Sequence, residues 1–175
     1  MLSLLTVLGQ ILIILLVISF FVHKREGNFL LNFFKKYAFI IAFIVALAST
    51  LGSLFYSDIA GYEPCKLCWF QRIFMYPQAI ILGMALWRKD KNIGIYSLVL
   101  SVVGAIIAGY HYLLQLGIAP SLPCSAVGYS VSCSQRFIME YGYITIPMMS
   151  LTAFVLIIIA MMISQNVRNG DNIKS

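Results

Sequence analysis

The chain has 175 residues, 61% of them hydrophobic and only 10% charged, whereas a soluble domain carries roughly 25% charged residues. That composition excludes an ordinary soluble globular domain and points to a protein dissolved in lipid. The formal net charge of +6 does not mark a nucleic-acid binder, because the basic residues stand at the ends of apolar runs and form no stripe along one face.

Five apolar runs approach the ~20 residues that a helix needs to cross ~30 Å of hydrocarbon: Leu2 to Val22, Tyr37 to Tyr56, Phe70 to Trp87, Ile93 to Leu116 and Ile144 to Ile163. They are continuously apolar, which favours helices over the alternating strands of a barrel. The first run, residues 1–22, has no basic residue in Met1 to Ser3 and exceeds a typical signal-peptide core, so it reads as a retained, extra N-terminal transmembrane helix. If the following loop, residues 23–36, is cytoplasmic, nine basic residues fall inside (Lys24, Arg25, Lys35, Lys36, Arg88, Lys89, Lys91, Arg168, Lys174) and three outside (Lys66, Arg72, Arg136). The positive-inside rule then places outer loops at 57–69 and 117–143 and a cytoplasmic tail at 165–175.

The four later runs, within residues 37–164, are joined mostly by short connections, which make consecutive helices antiparallel neighbours. The expected fold is an all-α membrane protein: an antiparallel four-helix transmembrane bundle with the extra N-terminal helix on its periphery. Gly94, Ser97, Ser101, Gly104, Ala105, Ala108 and Gly109 suit close helix contact in lipid. Pro77 should bend its helix near Ile73, whose carbonyl loses its partner, and the tail from Gln165 should be an irregular end.

All four cysteines, Cys65, Cys68, Cys124 and Cys133, fall on the outer side, where disulfides persist. Pro64 favours a helix start, so Cys65 and Cys68 share one face of a first turn, where exposed amides and the helix dipole stabilise a thiolate on Cys68. Arg72 lies one turn deeper on the same side; an arginine there either snorkels to head groups or favours anionic species at the cysteine pair. Cys124 and Cys133 lie in the long outer loop, flanked by Pro120, Pro123 and Gly128, and a mobile loop suits a shuttle. The segment Gln135 to Tyr141 reads as either a membrane-surface helix or a plain loop. His111 sits about five residues from its helix end, roughly 8 Å deep, level with Arg72, as a packed structural histidine or as a second polar group in one pocket with Arg72. No metal site is expected, because the second cysteine pair is too widely spaced for a zinc ribbon. Static disulfides remain an alternative, although a bridge inside Cys-x-x-Cys closes a tiny loop and constrains little.

The run Pro64-Cys65-Lys66-Leu67-Cys68-Trp69-Phe70-Gln71-Arg72 resembles the first-loop motif of the DsbB family, as do Tyr110-His111-Tyr112-Leu113-Leu114-Gln115, Pro123-Cys124-Ser125 and Ile144-Thr145-Ile146-Pro147. The compact second pair is most similar to the BdbC-type branch, and the N-terminal helix is a departure. The resemblance implies a thiol:quinone oxidoreductase of the bacterial inner (cytoplasmic) membrane. A DsbA-like thioredoxin-fold oxidase would attack Cys124, Cys133 would engage Cys65, and Cys68 would pass electrons to a membrane quinone, ubiquinone or menaquinone, held by Arg72 and His111. A vitamin K epoxide reductase-like enzyme is the nearest alternative, but there the loop pair precedes the Cys-x-x-Cys; a transport or structural subunit with static disulfides is the other.

Overall fold

The structure is a computed structural model that describes residues 2–22, 29–90, 92–118, 133 and 143–174. Among them are five α-helices: α1 (Leu2–Val22), α2 (Phe29–Leu54), α3 (Lys66–Arg88), α4 (Gly94–Gln115) and α5 (Ile146–Lys174). A π-helical turn, Phe55–Ile59, extends α2. Lys36–Ile59, Gly94–Gln115 and Ile146–Gln165 are long and apolar enough to cross a membrane, and Ser3–Ile18 is apolar but shorter. Among the described residues three helices thus qualify, and α1, 21 residues long over Leu2–Val22, carries no charged residue. α3 departs because Gln71, Arg72 and Gln78 interrupt its apolar run, and two of the three, Gln71 and Gln78, are buried inside the protein.

Two boundaries differ from the sequence reading. α2 begins at Phe29, so residues 29–36 are helical rather than part of the preceding loop. α5 continues to Lys174, across the segment expected to be irregular; no proline interrupts residues 148–174, and a helix needs only its own backbone bonds to extend. α3 is continuous across Pro77. One turn before the proline, the Gln78 side-chain amide donates to the Phe74 carbonyl at 2.9 Å.

α2 packs on α3 and α5, α4 packs on α3 and α5, and α1 lies against α5 and, less extensively, α2. Residues 89–93 suffice to join α3 to α4: Lys89 takes a left-handed conformation at φ 54°, and the Asp90 carboxylate accepts from the Asn92 backbone N–H at 2.9 Å. The shared core is built from small residues facing large ones. Ala38, Ala42 and Ala46, spaced four apart on α2, are buried with Met75 and Leu82 of α3 and Phe154, Ile157 and Met161 of α5. On α4 the buried stripe is Gly94, Ser97, Ser101, Gly104, Ala108, His111 and Gln115, a three-and-four spacing that keeps one helix face turned inward. In lipid the hydrophobic effect does little to drive helices together, so close approach and internal hydrogen bonds matter more. Gln78 supplies such bonds: its Oε1 accepts from the hydroxyls of Ser97 at 3.1 Å and Ser101 at 2.8 Å, tying α3 to α4.

At Gly104 α4 comes close to α5, since a Cβ there would run into the ring of Phe154, itself fully buried. Gly104→Ala is expected to lower stability by about 1–3 kcal/mol through overpacking, outweighing the ~1 kcal/mol that alanine gains as a helix former. Gly109→Ala, where an added carbon meets nothing within 4 Å, is expected to be neutral or stabilising. Thermal unfolding of the two variants in detergent checks the contrast.

Candidate functional site

The site gathers at the start of α3. Gly61 turns the chain at φ +71°, a conformation that suits glycine, and brings Tyr62, Glu63 and Pro64 back toward the helix. Cys65 is the N-cap of α3 in extended conformation, so Cys68 is the third helical residue. The Cys65 thiol donates to the Cys68 sulfur with Sγ to Sγ at 3.3 Å. Both precede Phe70, where the apolar part of the helix begins. The hydrogen bond splits their acidities. Acting as donor to Cys68, and with burial adding to the effect, the Cys65 thiol is pushed up to about 12. The Cys68 thiol is held below its ordinary 9.0, first by the hydrogen bond from Cys65 and further by a backbone bond and the Arg72 charge, against the opposing effect of burial. The thiolate of the reduced pair therefore resides on Cys68.

The two sulfurs face different neighbours. Cys65 is buried in one cluster with Leu114 and Cys133. His111 Nε2 lies 3.1 Å from the Cys133 carbonyl oxygen and 3.6 Å from Cys65 Sγ. A carbonyl only accepts, so Nε2 carries the proton. Nδ1 then accepts from the Gln71 amide at 3.0 Å. This chain of bonds, wholly buried, fixes the ring of His111 between α3 and the loop residue Cys133. Cys65, Cys68 and His111 also bring their ligand atoms within 4.8 Å of one another.

On the other side, Cys68 lines a cavity of about 310 Å³ whose wall is mostly apolar. Arg72 lines it too. The guanidinium is anchored to α2: Nε donates to Ser53 Oγ at 2.9 Å and Nη2 to the Ser53 carbonyl at 3.1 Å. Tyr76 donates to the same hydroxyl at 3.4 Å, and the guanidinium lies 5.3 Å from the centre of the Trp69 ring. Ser53 takes two of the five guanidinium N–H donors, which leaves the others for an anion in the cavity. Tyr56, on the π-helical turn, also lines it; widened turns of this kind recur at functional sites.

Of the residues singled out in the sequence, Cys65, Cys68, Cys133, Arg72 and His111 are thus brought to one end of the protein, and Cys124 lies outside the described residues, as does Gln135 to Tyr141. His111 does not share a pocket with Arg72. It belongs to the Cys65 and Cys133 side, because the stripe that buries α4 points it at Gln71 rather than at α2. Gln71 and Ser53 were not foreseen. Gln71 had a signal, being three residues beyond Cys68 and so on nearly the same helix face, whereas Ser53 is one of several small hydroxyls in an apolar run.

A sequence profile for the family described as "Disulfide bond formation protein DsbB" matches residues 35–164. The chain belongs to the DsbB family. Similar relatives include "Probable disulfide formation protein C" of Bacillus cereus, 43% identical over 70% of this chain and 88% of its own length. "Disulfide bond formation protein C" of Bacillus subtilis is 44% identical over 69% and 86%, and a "Probable disulfide formation protein" of Metapseudomonas resinovorans is 41% identical over 71% and 86%. No solved structure matches the chain. The DsbB profile spans α3, α4 and the cysteine loops and leaves α1 outside it.

The unequal thiols predict unequal reactivity. A lowered thiol pKa means that the thiolate persists as pH falls to that pKa and is lost below it. Iodoacetamide should therefore modify Cys68 of the reduced protein first, with an inflection below pH 9.0, while Cys65 stays slow as long as Cys68 is free to accept its hydrogen bond. Peptide mass spectrometry of timed samples reads both rates, and coincident profiles would contradict the assignment.

Proposed function

We propose that this chain is a membrane dithiol:quinone oxidoreductase that reoxidises a DsbA-like thioredoxin-fold oxidase outside the cytoplasmic membrane. In this reading α2 to α5 form the antiparallel transmembrane bundle, α1 is an added span, and the cysteine loops face the extracytoplasmic side. The observation that carries it is the Cys68 sulfur on the wall of an apolar cavity with an anchored guanidinium beside it. The cavity volume of about 310 Å³ lies within the ~300–1,000 Å³ range of small-molecule sites. Its chemistry, apolar walls with one cation and one thiolate, fits a lipid-soluble ring that becomes more anionic on reduction.

The residues divide the work. A thiolate of the partner attacks Cys124 of a Cys124–Cys133 disulfide; the S–S bond breaks, a mixed disulfide forms, and the partner's second thiol displaces Cys124. The partner leaves oxidised, and Cys124 and Cys133 are left as thiols. The Cys133 thiolate then attacks Cys65 of the Cys65–Cys68 disulfide and expels Cys68 as a thiolate, which the backbone bond at the helix start and the Arg72 charge stabilise. Cys124 resolves the new mixed disulfide, giving back its bond to Cys133 and leaving Cys65 and Cys68 reduced. The Cys65–Cys68 disulfide would then re-form by giving two electrons and two protons to a quinone, which would supply the final oxidant when bound in the cavity. His111 holds the Cys133 backbone next to Cys65, and Arg72 favours negative charge at the Cys68 end.

The test is the purified protein mixed with a reduced thioredoxin-fold dithiol and a soluble quinone, followed by quinone absorbance; an unchanged quinone spectrum refutes the reading. Cys65→Ser and Cys68→Ser should abolish quinone reduction. Cys124→Ser should retain quinone reduction driven by a small dithiol while oxidation of the protein partner fails. Arg72→Met removes a charge-assisted donor worth roughly 1.5–3 kcal/mol, and should raise KM for the quinone about tenfold or more with thiol exchange between the two cysteine pairs preserved.

A further inference from the structure

The cavity beside Cys68 is not built from the family segment alone. From Ile44 on α2 to Tyr56 on the π-helical turn its wall advances by twelve residues, and from Ile146 to Leu156 on α5 by ten, so it runs about 15–18 Å along the helices at 1.5 Å per residue. Two of its lining residues, Leu5 and Thr6, come from α1, the helix that stands outside the matched segment. Thr6 is buried. α1 lies against α5 and α2, the same two helices that form the long walls.

Its seating there is specific. Gly9 sits so close to α5 that a Cβ would come to 3.2 Å from Leu156 Cδ1 and 3.3 Å from Thr152 Cγ2. Both of those residues also line the cavity. One residue further, Gln10 bridges two parts of the chain: its amide donates to Thr152 Oγ1 at 3.4 Å, and its carbonyl oxygen accepts from the Tyr143 hydroxyl at 3.0 Å. The buried positions Ser3, Thr6, Gly9 and Leu16 fall on one face, while Leu8, Ile11, Leu15 and Ile18 on the other faces are exposed and suited to lipid.

We infer that α1 is a wall of the quinone site: Leu5 and Thr6, held over the α2 and α5 walls by the Gly9 and Gln10 contacts, close the cavity and contribute to ring binding. Without them the groove between α2 and α5 would open directly to the bilayer, and a bound ring would lose contact on that side. The helix is a positioning and affinity element and takes no part in thiol exchange, which proceeds on the opposite side of α3. The inference rests on the reading of the cavity as a quinone site.

The full-length protein, purified in detergent, tests it in two ways. Thr6→Phe fills the cavity from the α1 side, and Gly9→Leu pushes α1 off Thr152 and Leu156. Each should raise KM for a soluble short-chain benzoquinone about tenfold, equivalent to ~1.4 kcal/mol, with kcat and the alkylation rate of Cys68 unchanged. Leu15→Phe, on the exposed face, should leave KM as it is. The second arm needs no variant: an azido-substituted benzoquinone irradiated on the wild-type protein should label the peptide holding Leu5 and Thr6. Wild-type KM in both cavity-side variants, or label confined to α2, α3 and α5, would overturn the role of α1 and leave the quinone site standing. A wild-type protein that neither reduces nor binds the quinone would sink both.

Discussion

The hydrogen bond from the Cys65 thiol to the Cys68 sulfur, 3.3 Å long, is the interaction on which the rest of the site depends. Two chemically identical thiols become unlike because one is the donor and the other the acceptor. The donor holds its proton more tightly than an ordinary thiol, and the acceptor gives its own up more readily. Placing the pair across the N-cap and first turn of α3 sets the sense of the asymmetry, since the exposed N–H groups and dipole of a helix start favour negative charge. Arg72, one turn on, adds to it.

That asymmetry has a spatial counterpart. Cys65 is turned toward Leu114, His111 and Cys133, and Cys68 lines the apolar cavity. In the proposed reaction, thiols are exchanged on one side of α3 and electrons leave on the other, so the pair conducts across the helix. His111 is pinned by Gln71 on one ring nitrogen and by the Cys133 carbonyl on the other. It thus holds the Cys133 backbone beside Cys65.

The polar residues of α3 look ill suited to lipid until their partners are counted. Gln71 bonds to His111 of α4, Gln78 to Ser97 and Ser101 of α4, and Arg72 to Ser53 of α2. An unsatisfied polar group in hydrocarbon costs several kcal/mol, so each is compelled to face a neighbouring helix. The same residues that weaken α3 as an independent span therefore fix its rotation, and its rotation is what separates the faces of Cys65 and Cys68.

Much of this was already written in the chain. Apolar length and the small-residue stripe of α4 require helices that pack closely in lipid, because periodicity and volume are local properties. The Cys-x-x-Cys with Pro64 before it and Arg72 after it announced a helix-start dithiol beside a cation, since residues three and four apart share a face wherever the helix is placed. What the sequence left open were relations between helices. Whether His111 joins Arg72 or Cys65, that Gln71 and Ser53 are their partners, and that α1 reaches the cavity at all, depend on how each helix is rotated about its axis and which neighbour it meets. Those choices are settled by the close contacts of Gly104 with Phe154 and of Gly9 with Thr152 and Leu156, residues far apart in the chain, and by the need to give Gln71, Arg72 and Gln78 partners.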